Sequence, residues 1–550
     1  MTEEAAPRVL GIEGTAWAAS AAYYDAAEEL VRIESEPYAP EAGGIHPREA
    51  AEHMAEHLPA VIEEILADLP TEGEPPVDAV AFSRGPGLGP CLRIAGTSAR
   101  ALAQRFDVPL VGVNHMLAHL EIGRHRSGFS DPICLNASGA NAHLLAYRDG
   151  RYRVLGETMD TGVGNAMDKF TRHVGWSHPG GPKVEAAAAD GEYHPLPYVV
   201  KGMDFSFSGI SSAAEAAIDD GVPVPDVCRG LQETIFAMLA EVAERALSLT
   251  GADELVLGGG VGQNDRLTGM LGAMCDRRKA SFFAPEARFL RDNAGMIAVL
   301  GAKMYAAGDT IAIEDSAIDP GYRPDQVPVT WRSRTGPRTA TGPDGTAVQG
   351  AEATVTVGPD GETVTKRREG RPYRHPELDE RLRRERTRQE ARLLGEARRA
   401  GVPTPLVWNV DLAEQTLVLQ QVGRADLAAD PTDERVATTA RHLARLHEAG
   451  IVHGDPTTRN VRIGDRVYLL DFGLGYHSGR PEDHAMDLHV LAQSLTGTTA
   501  DADRFIGVLR DAYRAAGEAA VLDRLVAIEG RGRYRGGDDP ERGEPRGSGR

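Results

Sequence analysis

Glu254-Leu-Val-Leu-Gly-Gly-Gly-Val-Gly-Gln-Asn264 runs from apolar residues suited to a buried strand directly into glycines suited to a turn. Two earlier stretches repeat the pattern: Val9-Leu-Gly-Ile-Glu-Gly-Thr15 and Ile133-Cys-Leu-Asn-Ala-Ser-Gly-Ala-Asn141. Helical patterns from Pro47 to Asp68, Thr97 to Phe106, Cys228 to Leu249 and Asn293 to Ala307 alternate with them, which predicts an α/β first half. Glycine has no Cβ, so such turns let backbone N–H groups approach phosphates, although an ordinary hairpin needs glycine as well.

The 550 residues allow roughly three to four domain-sized cores, enough for two separate sites. A net charge of -21 accompanies an unusual cation balance, because only Lys169, Lys183, Lys201, Lys279, Lys303 and Lys366 are lysines among 60 basic residues. Acid excess with scarce lysine reads as adaptation to high salt, where dense surface carboxylates stay hydrated and their repulsion is screened. Cys91, Cys134, Cys228 and Cys275 form no C-x-x-C pair, so neither a zinc ribbon nor a disulfide framework is expected and the compartment reads as reducing. The acidic Met-Thr-Glu-Glu start and the lack of any run near the roughly 18 apolar residues of a span predict a cytoplasmic chain without membrane contact.

Hydrophobic periodicity stops after Trp331, where Arg, Thr, Gly and Pro take over. The expected division is a first domain over residues 1–330, a linker over 331–349, a second domain over 350–537 and a disordered tail over 538–550.

In Asn114-His-Met-Leu-Ala-His-Leu-Glu-Ile the imidazoles of His115 and His119 lie four apart, on one face of a helix, and could share a metal. Two surface histidines would give the same spacing. Position 116 is Met where a zinc-protease helix needs its general-base Glu, which argues against a metalloprotease. Further on come Glu157-Thr-Met-Asp-Thr-Gly-Val-Gly-Asn-Ala-Met-Asp168-Lys-Phe and Gly175-Trp-Ser-His-Pro-Gly-Gly181-Pro-Lys-Val-Glu185. With Gly11-Ile-Glu-Gly-Thr-Ala, Ser83-Arg-Gly-Pro-Gly-Leu-Gly-Pro, Ser206-Phe-Ser-Gly-Ile, Gly258-Gly-Gly-Val and Asp292-Asn-Ala-Gly-Met-Ile-Ala, these motifs span some 300 residues. The first half resembles the universal tRNA adenosine threonylcarbamoyltransferase family, once called O-sialoglycoprotein endopeptidases.

That resemblance implies an actin/Hsp70/sugar-kinase-like fold of two lobes. It also implies transfer of the threonylcarbamoyl group of threonylcarbamoyl-adenylate to N6 of an adenosine beside the anticodon of ANN-decoding tRNAs. By motif, it implies that His115, His119 and Asp292 hold one iron or zinc ion. Asp168, Gly181, Glu185 and Asn264 would contact the adenylate, faced by a loop of Asn136, Ala137, Ser138, Gly139 and Ala140. One departure stands out: relatives commonly carry Tyr at the place of Asn136, a metal or substrate contact, and an amide oxygen coordinates more weakly than a phenolate.

The second half carries the parts phosphoryl transfer needs. Thr354-Val-Thr-Val-Gly-Pro-Asp-Gly-Glu-Thr-Val-Thr-Lys366 reads as two strands around a turn, ending on the one lysine beyond Lys303. Glu390, in a helix from Pro376 to Arg399, is the expected ion-pair partner of Lys366. In His453-Gly-Asp455-Pro-Thr-Thr-Arg-Asn460, Asp455 would orient the attacking oxygen; Asn460 and Asp471 of Asp-Phe-Gly would bind magnesium. Instead of a G-x-G-x-x-G loop over ATP there is only Gly350, Ala351, Glu352 and Ala353. With 15 residues between Asp471 and Asp487 and no Ala-Pro-Glu, little remains to bind a peptide. This α+β lobe resembles the small atypical serine/threonine kinase of the KEOPS complex, which archaea sometimes fuse to the transferase; the resemblance implies an ATPase supporting tRNA modification, a basic tail at Arg531-Gly-Arg-Tyr-Arg535, and small accessory subunits, one dimerising on the transferase and one contacting the kinase. Residues 366–399 hold 13 basic and 7 acidic residues, a net +6 that could meet tRNA phosphates or lace a helix with salt bridges. The competing readings are a metalloprotease joined to a kinase, and a nucleotide-binding assembly module whose metal is structural.

Overall fold

The computed structural model describes residues 6–38, 46–67, 69, 75–139, 141–148, 150–332, 347–350 and 352–530. Ala140, Ala351, residues 333–346 of the expected linker and everything from Arg531 on, including the expected basic tail, lie outside the described residues.

The first half contains two five-stranded sheets with one topology. In the first, Arg8–Glu13, Ala18–Asp25 and Leu30–Pro37 form an antiparallel meander, and Ala79–Gly85 then Leu110–Asn114 add in parallel beside Arg8–Glu13. In the second, Ile133–Ala137, Ala142–Arg148 and Arg151–Glu157 form the meander, and Glu254–Gly258 then Ser281–Phe283 add in parallel. Central strands read as continuous apolar runs because helices cover both faces. Helices Pro47–Ala67 and Gly89–Phe106 bury Met54, Leu58, Cys91 and Ala95 against one side of the first sheet; helix Ala294–Ala306 buries Ile297 and Leu300 against the other. Helix His115–Ser127 lies between the two sheets and is buried at every position from His115 to Gly123.

The first half runs past its expected end at 330. The Arg332 guanidinium stacks over the Tyr147 ring at 3.9 Å and pairs with Asp131 at 3.0 Å. At the far end of the expected linker, Ala347–Gln349 already pairs with Ala353–Val357.

The second half opens with an antiparallel sheet in the order Ala347–Gln349, Ala353–Val357, Thr363–Arg368, Thr416–Gln420, Val407–Asp411, against which helix Pro376–Arg399 packs. A helical part follows, with Asp433–Glu448, Pro481–Thr498, Ala502–Ala516 and Ala519–Glu529 around Leu443, Leu446, Leu488 and Leu491. The halves meet along helix Val224–Thr250, which is buried at nearly every position because its own sheet covers one side and the second half the other. Elsewhere the junction mixes apolar packing, with Gly202 against Val490 and Gly497 against Leu155, and polar contacts: Gly202 N–H donates to Gly454 O at 3.0 Å and Lys201 pairs with Asp483 at 2.9 Å. No described helix is long and apolar enough to cross a membrane.

Candidate functional sites

Asn114 ends a strand and caps the helix that follows, its side-chain oxygen accepting from the N–H groups of Met116 and Leu117 at 3.0 and 3.1 Å. The cap fixes where the first turn points, so His115 and His119 face the same spot from successive turns. Their Nε2 atoms each lie 3.4 Å from Oδ1 of Asp292, which sits just ahead of the helix beginning at Ala294. Glu13, at the end of the first strand, accepts from His115 Nδ1 at 3.0 Å and from Thr15 N–H at 2.7 Å, so the Nε2 of His115 is the nitrogen left facing Asp292.

His119 is buried and neither of its ring nitrogens has a hydrogen-bond partner. Buried polar atoms are rarely left so, and the three convergent ligand atoms lie within 4.8 Å of one another. Burial lowers the pKa of His119 and favours its neutral, ligating form. At His115 burial also lowers the pKa, but the carboxylates of Glu13 and Asp292 outweigh it and push it up to about 10. Two carboxylates on one buried imidazole pair make a pocket that calls for positive charge, and the donor set of two imidazoles and a carboxylate suits iron or zinc. Asn136 is buried too; its amide N–H reaches only the Met116 sulfur at 3.7 Å, and its Oδ1 has no hydrogen-bond partner.

The residues expected around an adenylate are each tied into the local backbone. Asp168 accepts from Gly180 N–H at 2.7 Å and lies 3.1 Å from His178 Nδ1, which pins the glycine turn preceding the helix at Gly181. Glu185 accepts from Asp265 N–H at 3.2 Å, and Asn264 caps the helix Asp265–Arg278 through the N–H groups of Arg266 and Leu267. The loop residue Gly139 sits against Gly164, where an added Cβ would come within 2.7 Å of it, and accepts from Asn165 N–H. Ala137 ends a strand whose neighbour turns at Gly259; with φ of +85° and Ala137 O only 2.2 Å from an ideal Cβ, that position admits glycine alone. Gly11 likewise has a packing reason, the backbone of Ala294 lying 2.5 Å from its ideal Cβ. These glycines let strands and helices approach one another, a cause distinct from the phosphate approach expected from sequence.

In the second half Lys366 is buried between Glu390, at 2.8 and 2.9 Å, and Asp471 at 2.7 Å. Arg368, two residues along the same strand, also holds Glu390, at 2.6 Å. Asn460 donates to Asp455 Oδ2 at 3.0 Å. Burial raises the pKa of Asp455, and with Asp471 and Glu352 nearby it reaches about 7 despite the lowering effect of Arg245. Burial acts the same way on Asp471, but Lys366 and Arg368 outweigh it and hold that carboxyl down at about 2. Ala353 is buried in its strand and Gly350 N–H donates to its carbonyl; Glu352 faces inward and takes ion pairs from Arg245 and Arg386.

The basic stretch 366–399 does not present its full charge to solvent. Arg371 and Arg374 reach Glu244 and Glu241 of helix Val224–Thr250, at 3.4 and 2.6 Å, and Arg386 reaches Glu241 at 3.1 Å. Arg368, Arg371, Arg374 and Arg386 are all buried. Three of the thirteen basic side chains of this stretch are thus held by two acids of the other half and turned away from solvent.

Three residues that hold side chains or turns of these candidate sites escape a reading of the sequence. Glu13 lies inside a motif, but nothing local ties it to His115. Asp487, whose carboxylate accepts from the N–H groups of His453 and Gly454 at 2.7 and 2.8 Å and so fixes the turn carrying Asp455, enters only as a spacing. Arg245 leaves no signal at all.

The profile of the tRNA N6-adenosine threonylcarbamoyltransferase family matches residues 29–299. Over 548 residues, covering 96% of this chain and 100% of the other, the sequence is 66% identical to a probable bifunctional tRNA threonylcarbamoyladenosine biosynthesis protein of Haloarcula marismortui. Proteins so described in Halobacterium salinarum (68% over 538 residues, 97% of this chain and 99% of that one) and Methanospirillum hungatei (50% over 531 residues, 96% and 99%) match end to end as well. Among solved structures, full-length HypF in its phosphate- and nucleotide-bound form overlaps 56% of this chain and 57% of its own at 12% identity and a TM-score of 0.41, too loose to argue from.

Proposed function

Because the chain belongs to the family of bifunctional tRNA threonylcarbamoyladenosine biosynthesis proteins, we propose that its first half transfers threonylcarbamoyl from threonylcarbamoyl-adenylate to N6 of the adenosine beside the anticodon in ANN-decoding tRNAs. The observation that carries this reading is the convergence of His115, His119 and Asp292 with both nitrogens of a buried imidazole unpartnered. Held by these three residues, with the amide oxygen of Asn136 as a further donor, a divalent iron or zinc ion would stabilise the charge that develops as AMP leaves. Asp168, Gly181, Glu185 and Asn264 hold the adenylate, with the loop that carries Asn136, Ala137, Ser138 and Gly139 facing it. Glu13 orients His115. A protease reading is disfavoured because Met116 puts a sulfur, not a carboxylate, beside the site.

The second half is an atypical kinase-like ATPase. Lys366, kept in place by Glu390, meets the phosphates; Asn460 and Asp471 would hold magnesium; Asp455 orients the attacking oxygen; Gly350, Glu352 and Ala353 lie over the nucleotide. Its output supports the transferase, and accessory subunits of the KEOPS type are the expected partners. The test is direct. The purified chain, given accessory subunits, tRNA and threonylcarbamoyl-adenylate, should yield modified adenosine by mass spectrometry. Loss of product on His119→Ala but not on Asp455→Ala assigns the acyl transfer to the first half; no product from the unaltered chain sinks the proposal.

A further inference from the structure

Helix Val224–Thr250 touches both sites. Near its start, Gln232 Oε1 accepts from Asn264 Nδ2 at 3.4 Å, and Glu233 takes two bonds from Arg266, at 2.8 and 2.7 Å, beside the cap that Asn264 provides. Toward its end, Arg245 crosses into the second half, where Nη1 donates to Asp455 Oδ2 at 2.8 Å and Nη2 meets Glu352. Gln232 and Arg245 are 13 residues apart, so about 20 Å of one helix joins the adenylate cleft to the phosphate site. Its proline lies in the first turn and the segment between the two residues is buried throughout, so it moves as a rod.

Arg245 closes the phosphate site. It bridges Glu352, on the loop over the site, to Asp455, on its floor, and Glu241 of its own helix steadies it at 3.1 Å. All three partners are carboxylates in a buried setting. A triphosphate entering between Lys366 and Asp455 brings a competing anion with the geometry a guanidinium fork prefers.

We propose that Arg245 is a positioning residue that senses the terminal phosphate of a nucleotide in the second half, and that helix Val224–Thr250 transmits its choice of partner to Asn264 at the adenylate site. This rests on the readings of both sites given above. Arg245 has two states, held on Asp455 and Glu352 or turned to the phosphate. A diphosphate, lacking the terminal group, leaves it where it is. Linkage then requires each ligand to change the affinity of the other by the same factor.

The experiment uses the full chain and calorimetry with a non-hydrolysable threonylcarbamoyl-adenylate analogue, titrated in the presence of saturating Mg·AMP-PNP or Mg·ADP. The expected result is a Kd for the analogue that differs by about five-fold or more between the two nucleotides, with the same factor appearing when the titration is reversed. Arg245→Gln and, from the other end of the helix, Gln232→Leu should each reduce the factor below about two-fold, and Arg245→Lys should restore part of it. A difference under about two-fold in the unaltered chain, or a full factor surviving in Arg245→Gln, overturns the proposal. If Arg245→Gln does not fold, Gln232→Leu decides by itself: a lost factor supports the coupling and a full one overturns it. An analogue that fails to bind the unaltered chain, or an AMP-PNP that does, defeats the reading of that site, and the coupling with it.

Discussion

Around Asp292 the buried donors have too few partners, whereas around Asp455 every buried charge has at least one. Neither nitrogen of His119 is hydrogen-bonded, and the 3.4 Å separations to Asp292 are wide for hydrogen bonds but suited to a shared ion. Lys366 and Arg368 instead share Glu390 at 2.6 to 2.9 Å, while Arg245 holds Asp455 at 2.8 Å and pairs with Glu352. The first site holds convergent donor atoms without partners and gains by taking up an ion. The second is closed on itself, so its ligand must exchange partners with residues already paired. A site of the first kind selects by affinity; one of the second kind reports, through whichever residue it displaces, that it has been filled.

The largest effect should come from deleting the open site. His119→Ala is expected to lower formation of the modified nucleoside by at least about a thousand-fold, since it removes a ligand and leaves Asp292 facing one imidazole. ATP hydrolysis by the same variant should stay within about two-fold, because no described contact runs from His119 to Asp455. Parallel mass spectrometry and phosphate release settle it; a joint collapse of both activities would mean that the two sites are not independent in their chemistry. Asp455→Asn is the converse and somewhat smaller. It keeps the bonds from Asn460 in shape but removes the base, so ATP hydrolysis should fall by about 10²- to 10³-fold while acyl transfer from preformed adenylate is largely retained.

The parts of both sites that are legible in the sequence are those encoded by short spacing. His115 and His119 sit one helical turn apart, and the run from His453 to Asp471 holds Asp455 and Asn460 in a compact turn. Asp292, far down the chain, comes through family resemblance alone. The repeated strand order of the first half is hidden because periodicity gives strands but not their neighbours. Arg245 is illegible for a clearer reason: Leu-Ala-Glu-Val-Ala-Glu-Arg-Ala at 239–246 reads as an amphipathic helix with a wet face. That face is dry only because the arginines at 371, 374 and 386 cover it. A charge count along the basic stretch is blind in the same way, since it does not see the Glu241 and Glu244 carboxylates that Arg371, Arg374 and Arg386 meet.

The closed site depends on that charged junction, which gives a third way to probe the contrast. Glu241 is fully buried and receives Arg374, Arg386 and Arg245. Glu241→Gln leaves three buried guanidinium groups short of a carboxylate and should cost about 3 kcal/mol in denaturant unfolding. Glu434→Gln, which breaks an exposed pair with Arg441, should change stability by less than about 0.5 kcal/mol. Equal effects would mean that the junction is no more desolvated than an ordinary surface pair.

The smallest effect is a displacement in pH, and it separates the two carboxylates of the closed site. Asp455 sits near 7 because burial, Asp471 and Glu352 raise it while Arg245 pulls it down. Orienting the acceptor requires the carboxylate, so ATP hydrolysis should climb with pH through about 7 and level off above it. Arg245→Gln removes the lowering influence, and the rising limb should move to higher pH. Stability runs the other way. A carboxyl whose pKa is raised on folding holds its proton more tightly in the native state, so its contribution is present below its usual range and is lost as pH rises through about 7. Asp471, held near 2 by Lys366 and Arg368 against the effect of burial, contributes stability above its usual range and loses it only as pH falls toward 2. Between pH 6 and 8, then, the Asp455 contributions to activity and to stability of the second half should trend in opposite directions, and pH profiles of kcat/KM, which report the free enzyme, and of the unfolding midpoint, recorded at fixed ionic strength for the unaltered chain and for Arg245→Gln, check both signs. A rising limb in the ordinary carboxylate range, unmoved by the substitution, would show that Arg245 exerts no hold on Asp455.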